Sequence, residues 1–440
     1  MNIVQLTPGA GPMFCGNCLR DNTLVASLRS LGHNAVMVPL YLPLTLDEPD
    51  QSAGTPIFFS GINVYLEQKS AFFRHAPRWL HDLLASRPLL RWAAGRAAKT
   101  RASELGELTL SMLRGEHGNQ ARELDSLVDW LKTQPTPDLI CLSNVLLVGM
   151  VQRLKRDLGA PVVCMLQGED TFLDALPASH RDTCWQTLAE RAADVDLFVA
   201  PSHYFASLMR NRLELTPERV GVVHNGINLA GYEEGSARAP GATAEKPLVL
   251  GYFARMCREK GLPAVVAAFI KIRAQGRLPQ LKLRVGGSCG PSDEPVVEEM
   301  RKQLAAAGLS SEVEFYPNLE RGAKIDFLRQ LSVFSVPALY GEAFGLYLVE
   351  ALAAGVPIVQ PRTAAFPEIV ESTGGGVLCA PNDVQALADS IEQLLLDPSR
   401  ARALGSAGQK AVFQKFSSEA MTRSWLMLFE TVTRRKVAAA

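Results

Sequence analysis

The sequence predicts an α/β protein built from two doubly wound, Rossmann-like domains facing a central cleft. Three observations carry that prediction. The chain has 440 residues, too many for one ordinary hydrophobic core. It opens with a strand, a glycine-rich loop, a helix and a second strand. The same alternation restarts after a stretch rich in Gly, Ala and Glu that has no hydrophobic periodicity, Gly231 to Glu245. The expected division is therefore residues 1–230, a linker over 231–245, a second domain over 246–417, and a last helix over 418–440 that packs back on the first domain.

In chain order, Ile3 to Thr7 is an apolar strand, followed by the loop PGAGPMFCGNC. Leu19 to Leu31 is a helix, with Leu24, Val25, Leu28 and Leu31 at helical spacing, and Ala35 to Pro39 is the next strand. Tyr41 to Val64 reads as irregular chain with a hairpin-like end. Lys69 to Arg101 is basic and aromatic, a composition that suits either peripheral contact with an anionic membrane or helical hairpins with solvated arginines. One continuing helix is expected over Leu105 to Leu131.

Alternation then resumes. Strands are expected at Leu139–Leu142, Val162–Leu166, Leu197–Ala200 and Val220–Val223. Helices are expected at Val148–Leu158, Leu188–Ala193 and Ser202–Arg212, the last capped by Ser202. The second half gives strands at Leu248–Phe253, Leu281–Val285, Val313–Phe315, Val333–Val336 and Ile358–Val359. Its helices fall at Leu262–Ile272, Glu298–Ala307, Ile325–Gln330, Leu346–Ala354, Val384–Leu396 and Ser399–Phe416, with Ser418–Thr433 last.

Composition narrows the function classes. Lys+Arg and Asp+Glu each total 45, so the net charge is zero and no global field favours nucleic acid. The start, MNIVQLTPG, lacks the pattern of a signal peptide, and no run approaches ~20 apolar residues, so a cytoplasmic location is expected, with peripheral membrane contact through about 69–101. Six of the eight cysteines are scattered singly and read as buried thiols. Cys15 and Cys18 form the lone C-x-x-C. With no second pair at zinc spacing it reads as a tight loop of small residues, with zinc binding and a redox role as the lesser alternatives, and no metal is expected.

The chemistry concentrates in Tyr340–Val370. Glu342 and Glu350 flank a turn, Phe344-Gly345, and the apolar helix that follows. The amides of Gly345, Leu346 and Tyr347 open that helix and suit an anion. Glu350 is a lone acid on an apolar helix and needs a partner, for which a pair of ligand hydroxyls is one candidate. Arg255, Arg258 and Lys260 follow the strand Leu248–Phe253, where cations suit a diphosphate. Together these outline a sugar-nucleotide site.

These motifs resemble family 4 of the retaining GT-B glycosyltransferases. The matching pieces are Arg255 with Glu259-Lys260-Gly261, Gly286-Gly287, Glu342 to Leu346, Glu350 to Pro357, Pro367 to Val370, Ala200-Pro201-Ser202 and Val223 to Ile227. Cys15-Gly16 stands where the family usually has Gly-Gly. The resemblance spares about Tyr41 to Leu131.

It implies a GT-B fold and transfer of a sugar, with retention, from a nucleotide-diphosphate sugar to an acceptor that is a glycan, lipid or small molecule. Neither cofactor nor metal is implied. Glu342, Arg255 and Lys260 would be catalytic. Glu350, Phe344, Gly345, Leu346, Tyr347, Gly16 and Gln167 would bind the donor. Gln167 departs from the family, which typically has His there, and Glu169 or Asp170 would be substitutes. Asp194-Val195-Asp196 lies at the wrong end of a strand for a metal and reads as a solvated turn. The alternatives are a non-catalytic sugar-nucleotide or glycan binder, and a GT-B phosphorylase or epimerase.

Overall fold

A computed structural model describes residues 1–9, 15–59, 102–232 and 247–439. The chain divides into two compact units, Met1–His224 with Met421–Ala440, and Asn225–Ala420. The basic stretch Lys69–Arg101 lies outside the described residues, as does all but the first two residues of the expected linker.

The first unit is a six-stranded parallel sheet. Its strands are β1 (Asn2–Thr7), β2 (Asn34–Pro39), β3 (Leu139–Leu142), β4 (Val162–Met165), β5 (Leu197–Ala200) and β6 (Val220–Val222), in the order β2-β1-β3-β4-β5-β6. Ile3 pairs with Ala35 on one side and Leu139 on the other. β3, β4 and β5 are buried along their whole lengths, which is why they read as unbroken apolar runs rather than as alternation. Helix α1 (Gly16–Ser30) lays Leu24, Val25 and Leu28 on this sheet.

Between β2 and β3 stand α2 (Ala102–Leu113) and α3 (Ala121–Lys132). The single helix expected over Leu105–Leu131 is thus two. The break is at Gly115, which adopts φ +58°, and a Cβ there would overlap the Gly149 carbonyl oxygen. The close approach of two backbones, not local propensity, decides this point.

After β3, a short 3-10 segment, Val145–Met150, leads into α4 (Val151–Leu158). After β4 comes a short helix, α5 (Glu169–Asp174). The next helix, α6 (Ala178–Ala192), is far longer than the expected Leu188–Ala193. Ser202 does cap α7 (His203–Arg212), accepting from the Phe205 N–H at 3.1 Å.

The second unit repeats the plan with β7 (Val249–Phe253), β8 (Lys282–Gly287), β9 (Val313–Pro317), β10 (Val333–Phe334), β11 (Ile358–Pro361) and β12 (Gly376–Cys379). All are parallel, in the order β12-β11-β10-β7-β8-β9. Its helices are α8 (Leu262–Ala274), α9 (Glu294–Ala306), α10 (Arg321–Arg329), α11 (Leu346–Ala353), α12 (Phe366–Thr373), α13 (Val384–Leu395) and α14 (Pro398–Lys415). Its core joins Phe269 of α8, Leu348 and Leu352 of α11 and Ile391 of α13 to the strands.

Helix α15 (Ser418–Ala439) closes the chain, and its Met421, Trp425, Phe429 and Val432 are buried in the core of the first unit. Among the described residues no helix is long and apolar enough to cross a membrane.

Candidate donor site and family

In the second unit, β7 has β8 on one side and β10 on the other. The chain runs outward from β7 through β8 and β9, then crosses back to β10. The crevice between the C-terminal ends of β7 and β10 is therefore the topological switch point, where open α/β sheets take their ligands. The loops after these two strands carry the residues singled out by sequence, and the fold ties them together. The Leu339 N–H donates to the Glu259 carbonyl at 2.9 Å. Gly261, at φ +77°, lies so close to the Pro337 carbonyl that any Cβ would overlap it.

At this crevice Lys260 meets Glu342. The Lys260 Nζ donates to Glu342 Oε2 at 2.5 Å, and both side chains are largely buried. The Tyr347 hydroxyl donates to the same oxygen at 2.7 Å and that of Tyr340 at 3.3 Å. The Lys260 ammonium also lies over both rings, 4.9 Å from the centroid of Tyr340 and 5.1 Å from that of Tyr347. Burial and the neighbouring Glu342 carboxylate push the Tyr347 phenol well above its usual range, so it stays a proton donor.

Helix α11 is capped by Gly345, whose φ of +98° is the left-handed geometry glycine adopts freely. The amides of Gly345, Leu346 and Tyr347 open this helix beside Glu342. Phe344 is buried and packs against Phe416, so its side chain belongs to the core.

Two groups of the site have partners within the protein. Glu350 is not left for ligand hydroxyls alone, because Lys324 of α10 donates to its Oε1 at 2.8 Å. Nor do the cations after β7 stand open. Arg255 is held by Asp293, with Nε at 3.0 and 3.1 Å from the two carboxylate oxygens, and Arg258 pairs with Glu299. Asp293 keeps the Arg255 guanidinium above even its usual range. Each cation already has an acid.

Sequence reasoning missed Lys324 and Asp293. Lys324 left a signal: it sits on the same helical face as Phe327 and Leu328, an apolar stripe where a lysine needs a buried partner. Asp293 left none, because its contact with Arg255 depends on how β7 and β8 are paired.

In the first unit, the other predicted positions follow strand ends. Gly16 is the exposed first residue of α1. Gln167 follows β4, and its N–H donates to Glu169 Oε2 at 2.7 Å. Glu169 Oε1 accepts from the Val145 N–H at 3.2 Å. Both Glu169 oxygens are therefore occupied by backbone amides, and burial pushes its carboxyl up, so it anchors the loop and does not stand in for a histidine. Asp170 is buried next to it, with Oδ1 lacking a hydrogen-bond partner among the described residues. Asp196 is likewise structural: it pairs with Lys155 at 2.8 Å and accepts from the Val162 N–H at 2.7 Å. Cys15 and Cys18 do not form a mere loop of small residues, since Cys15 caps α1.

Known families match both units. Residues 107–230 match Glycosyltransferase Family 4, and residues 234–411 match Glycosyl transferases group 1. The chain belongs to glycosyltransferase family 4.

Among curated relatives of this family 4 chain, the D-inositol 3-phosphate glycosyltransferase of Mycobacterium avium is 31% identical over 220 residues, 50% of this chain and 50% of that protein. The alpha-maltose-1-phosphate synthase of Mycolicibacterium smegmatis is 28% identical over 277 residues, 59% of this chain and 69% of that protein. The chain spans about half the length of the D-inositol 3-phosphate glycosyltransferases it matches.

Solved structures share the GT-B fold over the whole chain. Sucrose-phosphate synthase of Thermosynechococcus elongatus superposes with a TM-score of 0.72 at 20% identity, covering 100% of both chains. HepE of Anabaena, solved with UDP, gives 0.67 at 17% identity, covering 98% of this chain and 100% of that one.

Proposed function

We propose that this protein is a retaining glycosyltransferase that takes a sugar from a nucleotide-diphosphate donor held at the β7–β10 crevice of its second unit. The observation that carries the reading is the Lys260–Glu342 pair with its two tyrosines, at the switch point and beside a helix N-terminus. UDP-glucose bound to HepE, a protein of the same fold, supports a nucleotide sugar as donor.

The residues divide the work by charge. Negative charge builds on the leaving diphosphate as the glycosidic bond breaks. Lys260 and Arg255, with the opening amides of α11, are fixed donors that stabilise it where it develops. This assigns to the protein's own cations the role a metal ion fills elsewhere. Glu342 accepts from sugar hydroxyls, and the Tyr347 hydroxyl keeps that carboxylate oriented. Glu350 accepts from the ribose, since one lysine leaves most of a carboxylate's lone-pair sites open. Binding a diphosphate gives Lys260 a second anion, so the Lys260–Glu342 contact loosens and frees Glu342 for the sugar.

In this reading Gly16 and Gln167 of the first unit also bind the donor. A neutral Gln167 orients a hydroxyl or presents a carbonyl to a cationic sugar centre, and does no proton transfer.

The test is proton NMR of the purified full chain with a panel of nucleotide sugars, in chelator. The expected result is slow release of free sugar or transfer product from one donor, with the anomeric configuration of the donor kept in the first-formed product. Inversion would overturn the retaining assignment. Tight binding without any turnover would favour a sugar-nucleotide binding protein.

A further inference from the structure

We propose that Cys15 and Cys18 form a reversible dithiol–disulfide site at the start of α1, oxidised by thiol–disulfide exchange with a small-molecule disulfide. The proposal is independent of the glycosyl-transfer reading.

Of the eight free thiols, only Cys15 and Cys289 are partly exposed, and the rest are buried. Cys15 has a setting that Cys289 lacks. It is the N-cap of a 15-residue helix, with its sulfur accepting the Cys18 N–H at 3.2 Å. The two sulfur atoms are 2.7 Å apart, with the Cys18 thiol donating to the Cys15 sulfur. The Leu19 N–H donates to the Cys15 carbonyl at 3.0 Å, so the first helical turn holds the spacing. A bond of ~2.05 Å then forms without rearrangement of the helix.

The partners are electrostatically distinct. The hydrogen bond from Cys18 holds the Cys15 thiol below its usual range, against the opposing effects of burial and Asp21, while that same bond and burial push the Cys18 thiol far up. At Cys289, burial with Asp293 and Glu294 pushes the thiol up. Cys15 is thus the nucleophile and Cys18 the resolving thiol. Among the described residues no group of three or more His, Cys, Asp or Glu side chains stands ready to hold a metal ion.

The exchange balances in two steps. The Cys15 thiolate attacks one sulfur of the disulfide R–S–S–R, forming Cys15–S–S–R and releasing one RS⁻, which takes up a proton. Cys18 then loses its proton and attacks the Cys15 sulfur. The Cys15–Cys18 bond forms, the second RS⁻ leaves and is protonated, and two protein thiols have been oxidised as one disulfide is reduced to two thiols.

The experiment treats the folded full chain with oxidised glutathione, alkylates the remaining thiols and maps the peptides by mass spectrometry. A Cys15–Cys18 disulfide that dithiothreitol reverses, with Cys289 still open to alkylation, is expected. In Cys18→Ser, whose hydroxyl can donate to the Cys15 sulfur as the thiol does, Cys15 should react with iodoacetamide at pH 7 faster than Cys289. Cys15→Ser keeps the helix cap, because a serine hydroxyl accepts the same N–H, and should form no disulfide. The proposal is overturned if both thiols stay reduced while Cys289 is glutathionylated, if Cys15 alkylates no faster than Cys289, or if zinc co-purifies with the chain and is lost in Cys15→Ser.

Discussion

Each acid of the candidate site is matched to one lysine, and the two pairs differ in what they imply. Lys324 and Glu350 are both nearly buried, with side-chain exposures of 8% and 13%. Removing one partner leaves a charge with little water to stabilise it. Lys324→Met should therefore lower stability by about 2–4 kcal/mol in urea denaturation, and adding Glu350→Gln should recover part of the loss. No recovery would mean that Lys324 acts through packing alone. Glu169 gives a pH signature. Its burial raises the folded-state pKa above the unfolded value, so its contribution to stability is fully present below ~4.3 and lost as pH rises through the folded value. The melting temperature of the wild type relative to Glu169→Gln should thus rise as pH falls from 7 toward 5. At this scale the sequence was informative about residue type and silent about partners. Glu342, Glu350, Arg255 and Lys260 stood out as charges at strand ends. That Arg255 and Glu350 were already paired depended on Asp293 and Lys324, residues 38 and 26 positions from the groups they bind, while Lys260 and Glu342 pair with each other across 82 positions.

Elements in this fold are set by apolar runs and ended by glycine. Fully buried parallel strands such as Leu139–Leu142 leave a signal that survives without knowledge of the partners, so most strands agree with the sequence to within a residue or two. Misplaced boundaries share a cause. The α2–α3 break and the helix starting at Glu169 both depend on tertiary contacts, with the Gly149 backbone in one case and the Val145 amide in the other. Gly261 is the element-scale device that brings Lys260 to Glu342, since it lets the β7–α8 loop lie against Pro337. Gly261→Ala combines a left-handed φ with a backbone clash. It should cost about 2–4 kcal/mol, read as a lower urea midpoint, and should weaken nucleotide binding more than Lys324→Met does. An unchanged midpoint would show that the loop relaxes freely.

For the whole molecule, the division into two units does not follow chain order, because α15 returns its apolar face to the first unit's core. Trp425 is 2% exposed there, beside Phe429 at 5.3 Å between ring centroids. Trp425→Ala should destabilise the first unit by about 3–5 kcal/mol. Hydrogen exchange should then accelerate in β1, β2 and β3 while β7 to β12 stay protected. Uniform acceleration would mean that the two units unfold as one. The central claim remains that the second unit binds a nucleotide-diphosphate sugar through Lys260 and Glu342. The direct measurement is calorimetric titration of the full chain with UDP, GDP and ADP and their sugar conjugates, in wild type and in Lys260→Met. The account predicts that one nucleotide binds the wild type and that Lys260→Met weakens it about 10- to 100-fold, the loss of a charge-assisted contact worth about 1.4–2.8 kcal/mol. Equal affinity in both proteins, or no binding of any nucleotide, would contradict it.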